Sequence, residues 1–437
     1  RDRYNGPSSI LSLIIYNIKR TEIMKKFRII PIILSFFAFV SASCQEEKKN
    51  KNEEPPQEQL PPVETQQPNT SYKPAFHGQT RIAGVKTVTP YDVKIIADGL
   101  SKPWSVTALP DGRLVITEKA GTMRIATTDG ELSAPISGFP EVDDRNQGGL
   151  LDVAPAPDFD VSRILYFTFA EKTTQGSLTA VGKGKLSSDE KQIENFQVIF
   201  RAIPYYDNSM HFGSRIVFDN KGNIFISTGE RSDLVTRSNA QLLDNGYGKV
   251  IHITPDGKPV PDNPFINSQG ALPEIYSYGH RNPQGLAIHP FTQELWLSEM
   301  GPRGGDEINL IKSGKNYGWA TITYGIEYSG QTIGEGITQK EGMEQPIYYW
   351  DPVLSPSGMI FYSSDAIPEW KNNLFIGGLS SKHIARIVLE NNKVIGEERL
   401  LTDENQRFRD IGEGKDGTLY AVTDEGRLYR IAKKKLN

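Results

Sequence analysis

A single cysteine, Cys44, is all that this 437-residue chain contains, which excludes an internal disulfide framework. Surplus charge is lacking too. Forty-nine basic side chains against 53 acidic ones leave a formal net charge of −4, so nothing in the balance points to nucleic acid or anionic lipid as a partner. Histidines number only six, and each polar one near a candidate site carries weight for that reason. No segment carries a long amphipathic helical stripe. What the chain has instead is turn formers, 40 Gly and 28 Pro beside 10% aromatics, a composition suited to many short strands joined by tight turns. The length allows two or three average domains or one large all-β fold.

The apolar run Ile29 to Val40 is too short to span a bilayer comfortably. It follows a basic head, Met24-Lys25-Lys26-Phe27-Arg28, and ends in Ser41-Ala42-Ser43-Cys44, the layout of an export signal. Residues 24–43 resemble a bacterial lipoprotein signal, cleaved before Cys44 with lipid on its sulfur, although Ser41 stands where such signals usually carry an aliphatic residue. The alternative is an ordinary secretory signal with an incidental cysteine. Both predict export, and the first predicts a lipid-anchored protein of the cell envelope, periplasmic or on the outer-membrane surface. Residues 1–23 lie upstream of the better start at Met24 and read as a leader foreign to the native protein. Residues 44–80 are charged, rich in Pro and Gln and poor in large apolar side chains, so they are expected to form a disordered tether. That leaves 81–437 as the folded domain.

Within that domain one pattern recurs six times: a short apolar stretch, a turn built on Asp, Asn, Gly or Pro, then a β-rich strand. Trp104 to Leu109 leads through Pro110-Asp111-Gly112 into Leu114 to Thr117, and Gly149 to Val153 through Pro157-Asp158 into Ile164 to Thr168. Ser214 to Phe218 turns at Asp219-Asn220-Lys221-Gly222 into Ile224 to Ser227, and Gly285 to Ile288 turns at His289-Pro290 into Glu294 to Ser298. Gly358 to Tyr362 and Asp410 to Glu413 begin the last two copies. Units this long suit one small sheet each. Six such sheets predict an all-β, six-bladed β-propeller, which protects its edges by closing into a ring; an open pair of sandwiches is the alternative. Tyr91 to Ile96 is expected to complete the last blade beside Arg427 to Ile431.

A propeller brings the residues just before each innermost strand together around its axis. Here these are Gln147, His211, Arg281 with Asn282, Trp350 to Ser357, and Arg407 with Arg409. Guanidiniums converging on one cavity repel each other and call for a ligand with several negative charges, which Arg binds bidentately. The run Tyr278-Gly279-His280-Arg281-Asn282-Pro283-Gln284-Gly285-Leu286 is followed by a Gly/Pro-rich acidic loop, Ser298 to Asn309, where Gly301-Pro302 can offer backbone carbonyls to a hard cation. His211 is the imidazole among these positions and hence the candidate proton acceptor. A polycarboxylate cofactor, a divalent cation and a histidine base fit quinone-dependent alcohol oxidation. His280 reads as a turn residue, His289 as solvated, and His77, His252 and His383 as uninvolved. Asp143-Asp144 reads as an exposed loop.

From about Ile96 to Ile431 the chain resembles the soluble aldose sugar dehydrogenase (glucose/sorbosone dehydrogenase) family. The resemblance lies in Asn146-Gln147-Gly148-Gly149-Leu150-Leu151, Gly279 to Leu286, Asp306-Glu307-Ile308-Asn309-Leu310 with Asn316-Tyr317-Gly318-Trp319, and Arg407-Phe408-Arg409-Asp410. It implies a six-bladed propeller that uses pyrroloquinoline quinone (PQQ) and Ca²⁺ to oxidise aldoses at the anomeric carbon, with an external electron acceptor. Position by position, it implies His211 as general base, Gln147 near base and substrate, and Arg281 and Asn282 beside the quinone oxygens. Arg407 and Arg409 would engage the cofactor, with Trp350 packed at its ring. Gly301 and Pro302 would be carbonyl ligands of the catalytic Ca²⁺, with Asp306 close by, and Glu307 and Tyr317 would belong to a separate structural Ca²⁺ site. Two departures stand out. Met210 replaces an Asp before the base, and blade five reads Leu379-Ser380-Ser381-Lys382 where a cofactor-binding Lys would directly follow the Leu, leaving Lys382 to reach in from a shifted loop. The rival functions are a Ca²⁺-dependent lactonase and a non-catalytic sugar- or anion-binding propeller. Substrate choice is expected to lie in the loops 171–184 and 326–342.

Overall fold

The computed structural model describes residues 60–435; the leader, the signal segment, Cys44 and the first part of the expected tether lie outside them. Six antiparallel sheets stand around one axis. Blade 1 is Pro103–Ala108, Leu114–Glu118 and Thr122–Ala126, and blade 2 is Leu150–Pro155, Ile164–Thr173, Gly176–Leu186 and Ile193–Arg201. Blade 3 comprises Gly213–Phe218, Ile224–Thr228, Lys249–Ile253 and Ile275–Tyr278; blade 4 comprises Pro283–Ile288, Leu295–Glu299, Asp306–Ile311 and Tyr348–Trp350. Blade 5 runs Pro356–Phe361, Leu374–Gly378, Ile384–Glu390 and Lys393–Leu400, and blade 6 Phe408–Glu413, Leu419–Thr423 and Leu428–Lys433. Tyr91–Ala97 supplies the fourth strand of blade 6, with Ile95 opposite Tyr429, as the sequence pattern predicts. That strand closes the ring by joining the two ends of the domain. The first strands of successive blades contact one another all the way round. Among the described residues no helix is long and apolar enough to cross a membrane.

Second strands show why the sequence folds this way. Leu114–Glu118, Ile224–Thr228, Leu295–Glu299, Leu374–Gly378 and Leu419–Thr423 are buried at every position. Each is covered on both faces by neighbouring blades, so it reads as a continuous β-branched and aliphatic run with no alternation. Turn chemistry sets the ends: Asp219 accepts from the backbone of Lys221 (2.8 Å) and Asn223 (2.7 Å) at the tip of the blade 3 hairpin, an Asx turn that reverses the chain without help from the core.

The axis is plugged by one ion triad. Arg215 Nη1 lies 2.9 Å from Asp152 and 3.0 Å from Asp410. Its Nε donates to the Gln284 carbonyl (3.0 Å), and the guanidinium stacks over Trp104 at 4.4 Å. The carboxylates also accept backbone N–H groups of neighbouring first strands, Ile216 to Asp152 and Val106 to Asp410, both at 2.8 Å. This layer divides the axial channel into an upper cavity, on the face where the first strands begin, and a lower one.

The segment 60–80, expected as tether, is instead built into the fold. Leu60–Pro62 pairs with Ala83–Gly84, which adds in parallel to the outer strand of blade 5. Hydrogen bonds rather than apolar burial hold it, which is why composition does not reveal it. Asp351 accepts from Asn69 N (2.8 Å), Thr70 N (3.1 Å) and Thr70 Oγ1 (3.0 Å). The wholly buried Gln79 donates to the Pro346 carbonyl (2.9 Å) and accepts from the Tyr349 amide (2.8 Å). Asp351→Ala should therefore cost about 1–3 kcal/mol, the range for stranding buried donors. Urea titration should show the loss, and limited proteolysis should cut between residues 60 and 80. An unchanged midpoint with an uncut arm would show that these bonds contribute nothing to holding it.

Candidate active site

The upper cavity has a volume of about 440 Å³ and is walled by Gln147, Gln284, Arg407 and Arg409 together with Lys102, Trp104, Lys119, Ser380 and Asp424. His211 hangs on its edge. Its N–H donates to Gln147 Oε1 (2.8 Å), and the Asn282 amide lies 3.5 Å from the same oxygen while its own Oδ1 accepts from Gly213 N (3.1 Å). Of the residues expected to converge, Gln147, Arg407 and Arg409 line this cavity, His211 and Asn282 reach its edge through Gln147, and Arg281 lies in a separate, adjoining void.

His211 sits at φ 49°, a left-handed conformation that a side-chain-bearing residue adopts only when its surroundings fix it. Its ring Nδ1 is 2.5 Å from Glu230 Oε1. Behind it Arg231 donates to the Met210 carbonyl (3.1 Å) and stacks over Phe212 at 4.1 Å, pinning the loop from below. Nδ1–H donation to the carboxylate leaves Nε2 as the acceptor nitrogen, with no protein partner among the described residues. Burial, then the Arg281 charge, lowers the imidazole to about 4 against the pull of Glu230. Met210, the departure before the base, is therefore answered by Glu230, which reaches the imidazole from the end of a different strand. Glu230 is absent from the sequence-based set.

Arg407 and Arg409 share one counterion. Asp424 accepts from Arg407 Nε (2.8 Å) and from Arg409 Nε and Nη2 (2.8 and 3.1 Å), while Arg409 Nη1 donates to Gln284 (3.0 Å). Burial works against it, but the two guanidiniums hold the Asp424 carboxyl below its usual value. Arg409 is thereby largely committed to the wall, and the outer nitrogens of the half-exposed Arg407 face the cavity.

Several expected site residues lie elsewhere. Trp350 is on the last strand of blade 4, not at the head of blade 5. It is buried in the core between those blades, and its Nε1 donates to Glu397 (3.2 Å); Trp104 is the indole that walls the cavity. Lys382 is not among the walls, where Ser380 stands with its Oγ 2.8 Å from Ser355 Oγ. The guanidinium of Arg281 turns into a small adjoining void beside Trp319, donating to the Met300 (3.1 Å) and Gly301 (2.6 Å) carbonyls. Asp306 accepts backbone amides of Gly301 (2.8 Å), Leu354 and Ser355 (both 2.7 Å), so it shapes both loops. Glu307 shares the small void with Glu299, and burial followed by that neighbour raises its carboxyl well above the usual range. Tyr317 directs its hydroxyl to the Leu310 carbonyl (2.7 Å), leaving its own carbonyl as the oxygen it can offer. Asp143 is buried against Arg145 rather than exposed. His280 is structural, bonded to Glu299 and Ser277 (both 2.9 Å). Of the two loops assigned to substrate choice, 326–342 contributes Tyr328 to the walls; Glu171, at the start of the other, is bound to Arg201 and Tyr205.

Fit to the implied groups divides accordingly. The cation-lined cavity suits a polycarboxylate such as PQQ. The pair Glu299–Glu307, two carboxylates sharing one small void with the Arg281 guanidinium, offers Ca²⁺ hard oxygen ligands together with the Tyr317 carbonyl. At Gly301 the carbonyl already accepts Arg281, and Asp306 is fully engaged, so this arrangement does not fit a cation at Gly301–Pro302.

Residues 100–430 match the family described as Glucose / Sorbosone dehydrogenase. The chain is 45% identical over 346 residues to the aldose sugar dehydrogenase YliI of Escherichia coli, covering 78% of this chain and 92% of the relative. The crystal structure of the soluble aldose sugar dehydrogenase from Escherichia coli in the apo-form superimposes with a TM-score of 0.75 at 43% identity, over 79% of this chain and all of that one. The PQQ-bound aldose sugar dehydrogenase from Streptomyces coelicolor gives 0.65 at 27% identity, over 79% of this chain and 99% of that one.

Because His211 is neutral in the fold, acidification below 6.5 protonates the unfolded chain first; its contribution to stability is present above that pH and lost towards about 4. An NMR titration of the ring should give a midpoint near 4, and Glu230→Gln should lower it further because the attracting charge is gone. A midpoint near 6.5 would mean that the imidazole is solvated rather than held.

Proposed function

Because the chain belongs to the glucose/sorbosone dehydrogenase family and is an aldose sugar dehydrogenase of that family, we propose that it oxidises aldoses at the anomeric carbon to lactones, with PQQ in the upper cavity and His211 as general base. The observation that carries this reading is the His211–Glu230 pair, hung by Gln147 on the rim of a cation-lined pocket. PQQ, when bound, supplies the hydride acceptor. The chain's own part is to place and deprotonate the sugar. Glu230 fixes the tautomer, and His211 Nε2 takes the proton of the anomeric hydroxyl. The side-chain amides of Gln147 and Asn282 lie beside it to orient that hydroxyl, and Tyr328 offers an apolar platform at the mouth. Arg407 holds cofactor carboxylate, and Asp424 keeps Arg407 and Arg409 from repelling each other. Ca²⁺ belongs in this reading at Glu299, Glu307 and the Tyr317 carbonyl, as a structural ion; no step passes through a cation at Gly301–Pro302. Export and a lipid on Cys44 complete the proposal, with electrons passing to an external acceptor in the envelope.

Purified apoprotein given PQQ and Ca²⁺ should reduce a dye with aldoses, and His211→Ala should lose at least about 10²-fold of kcat, the contribution of a general base. The base must be unprotonated to act, so kcat/KM should hold down to about pH 4 before falling. Cofactor binding without turnover in the wild type would favour the binding propeller, and an acid limb near 6.5 would remove His211 from the base role.

A further inference from the structure

Lys102 and Lys119 also wall the upper cavity, yet neither lies at a position that the repeats or the family resemblance single out. Both belong to blade 1. Lys102 directly precedes its first strand and Lys119 directly follows its second, and the antiparallel pairing brings the two to the same face, where Lys119 N–H donates to the Lys102 carbonyl (3.2 Å). The Lys119 ammonium donates to the Asn146 carbonyl beside Gln147, which uses one of its three N–H groups. Beside them, on the neighbouring blade 6, stand Arg407 and Arg409. Counting the charged walls, Lys102, Lys119, Arg407 and Arg409 give four positive charges and Asp424 one negative, so 4 − 1 = +3. Exposed Asp144 is nearby but not among the walls. Burial, then Arg409 and Lys102, depresses the Lys119 ammonium, as expected for a cation crowded by like charges.

PQQ carries three carboxyl groups and is a trianion at neutral pH, the charge that this cavity lacks. Blade 5 supplies no cation, since Ser380 occupies its wall and Lys382 lies outside. We propose that Lys119, with Lys102 beside it, is a cofactor-binding residue, delivering from blade 1 the carboxylate contact that Lys382 does not make. This inference rests on the PQQ reading above.

The test is a PQQ titration of the full-length apoprotein, read by quenching of tryptophan fluorescence (Trp104 lines the cavity) at several salt concentrations. Lys119→Gln should weaken Kd about tenfold, the effect of losing one charge-assisted contact, and flatten its salt dependence. Lys119→Arg should recover most of the affinity, Lys102→Gln should show a smaller loss, and Lys382→Gln should bind as wild type. The melting temperature of apo Lys119→Gln should equal or exceed that of wild type, because a repelling charge has left. Unchanged Kd in Lys119→Gln, or a loss in Lys382→Gln instead, would overturn the assignment. So would a lower melting temperature with unchanged Kd, which would make Lys119 a prop for the Asn146 loop. Failure of the wild type to bind PQQ at all would instead sink the functional reading.

Discussion

Everything at the upper face depends on the ion triad at the hub. Asp152 of blade 2 and Asp410 of blade 6 clasp Arg215 of blade 3, whose Nε reaches the backbone of blade 4. Blade 1 joins through Ser105 Oγ, 2.6 Å from Asp152, and through the Val106 amide on Asp410. Blade 5 joins by absence: a Cβ at Gly358 would lie 1.7 Å from Asp410 Oδ1, so only glycine lets that strand approach. All six first strands are thus registered on one buried cluster. Hydrophobic burial between blades makes the ring compact, but it is non-directional and would tolerate a strand sliding by a pair of residues. Buried charges do not tolerate it, because a displaced strand would strand a carboxylate or a guanidinium. Two carboxylates to one cation is an imperfect balance, and burial raises Asp410 to about 6. The triad is therefore a device for register more than for net stability.

With register fixed, the electrostatics of the site follow from hairpin geometry. A first strand leaves the upper face and the second returns to it, so residues at or just past the end of the second strand lie at the same face as residues before the first. Four of those return positions are acidic: Glu118, Glu230, Glu299 and Asp424. Each holds a cation or an imidazole, Arg124 for Glu118, His211 for Glu230, His280 for Glu299, and Arg407 with Arg409 for Asp424, and of these His211, Arg407 and Arg409 stand at the upper cavity. Glu299 also accepts the Arg281 amide at 2.6 Å. Glu230 and Asp424 thereby fix the orientation of His211, Arg407 and Arg409 at the cavity, which is the preorganisation that a charged ligand requires.

The same geometry explains what the sequence made legible. Six copies of strand, turn and strand are visible because buried β-runs and Asx or Pro-Gly turns are local signals, and the closing strand at Tyr91 is visible as one more such run. The leading positions Gln147, His211, Asn282, Arg407 and Arg409 follow from counting one end of each repeat. Glu230 and Lys119 were missed because the other end was not counted, although its acids and cations stand in plain view. Trp350 failed for a different reason. Only a few residues separate the last strand of blade 4 from the first of blade 5, and linear position does not say on which side of that turn an indole points. The ordered arm at 60–80 is invisible to composition because its partners, Asp351, Pro346 and Tyr349, are hundreds of residues away.

The two cavities on either side of the triad give the channel a direction. The upper one is walled by four cations and a single carboxylate, and the lower by strand residues such as Pro155, Phe218, Ile288 and Phe361 with Glu413 at its margin. A trianion is accommodated only above, where its charge meets Lys102, Lys119 and Arg407 instead of apolar strand ends. His211 is a neutral base at physiological pH first because it is buried at the edge of this cavity. Arg281, in the adjoining void, adds to that burial in disfavouring protonation, while Glu230 retains enough pull to hold the proton on Nδ1. Ligand affinity and base strength are therefore set by different groups, the wall cations for the one and burial with Arg281 and Glu230 for the other.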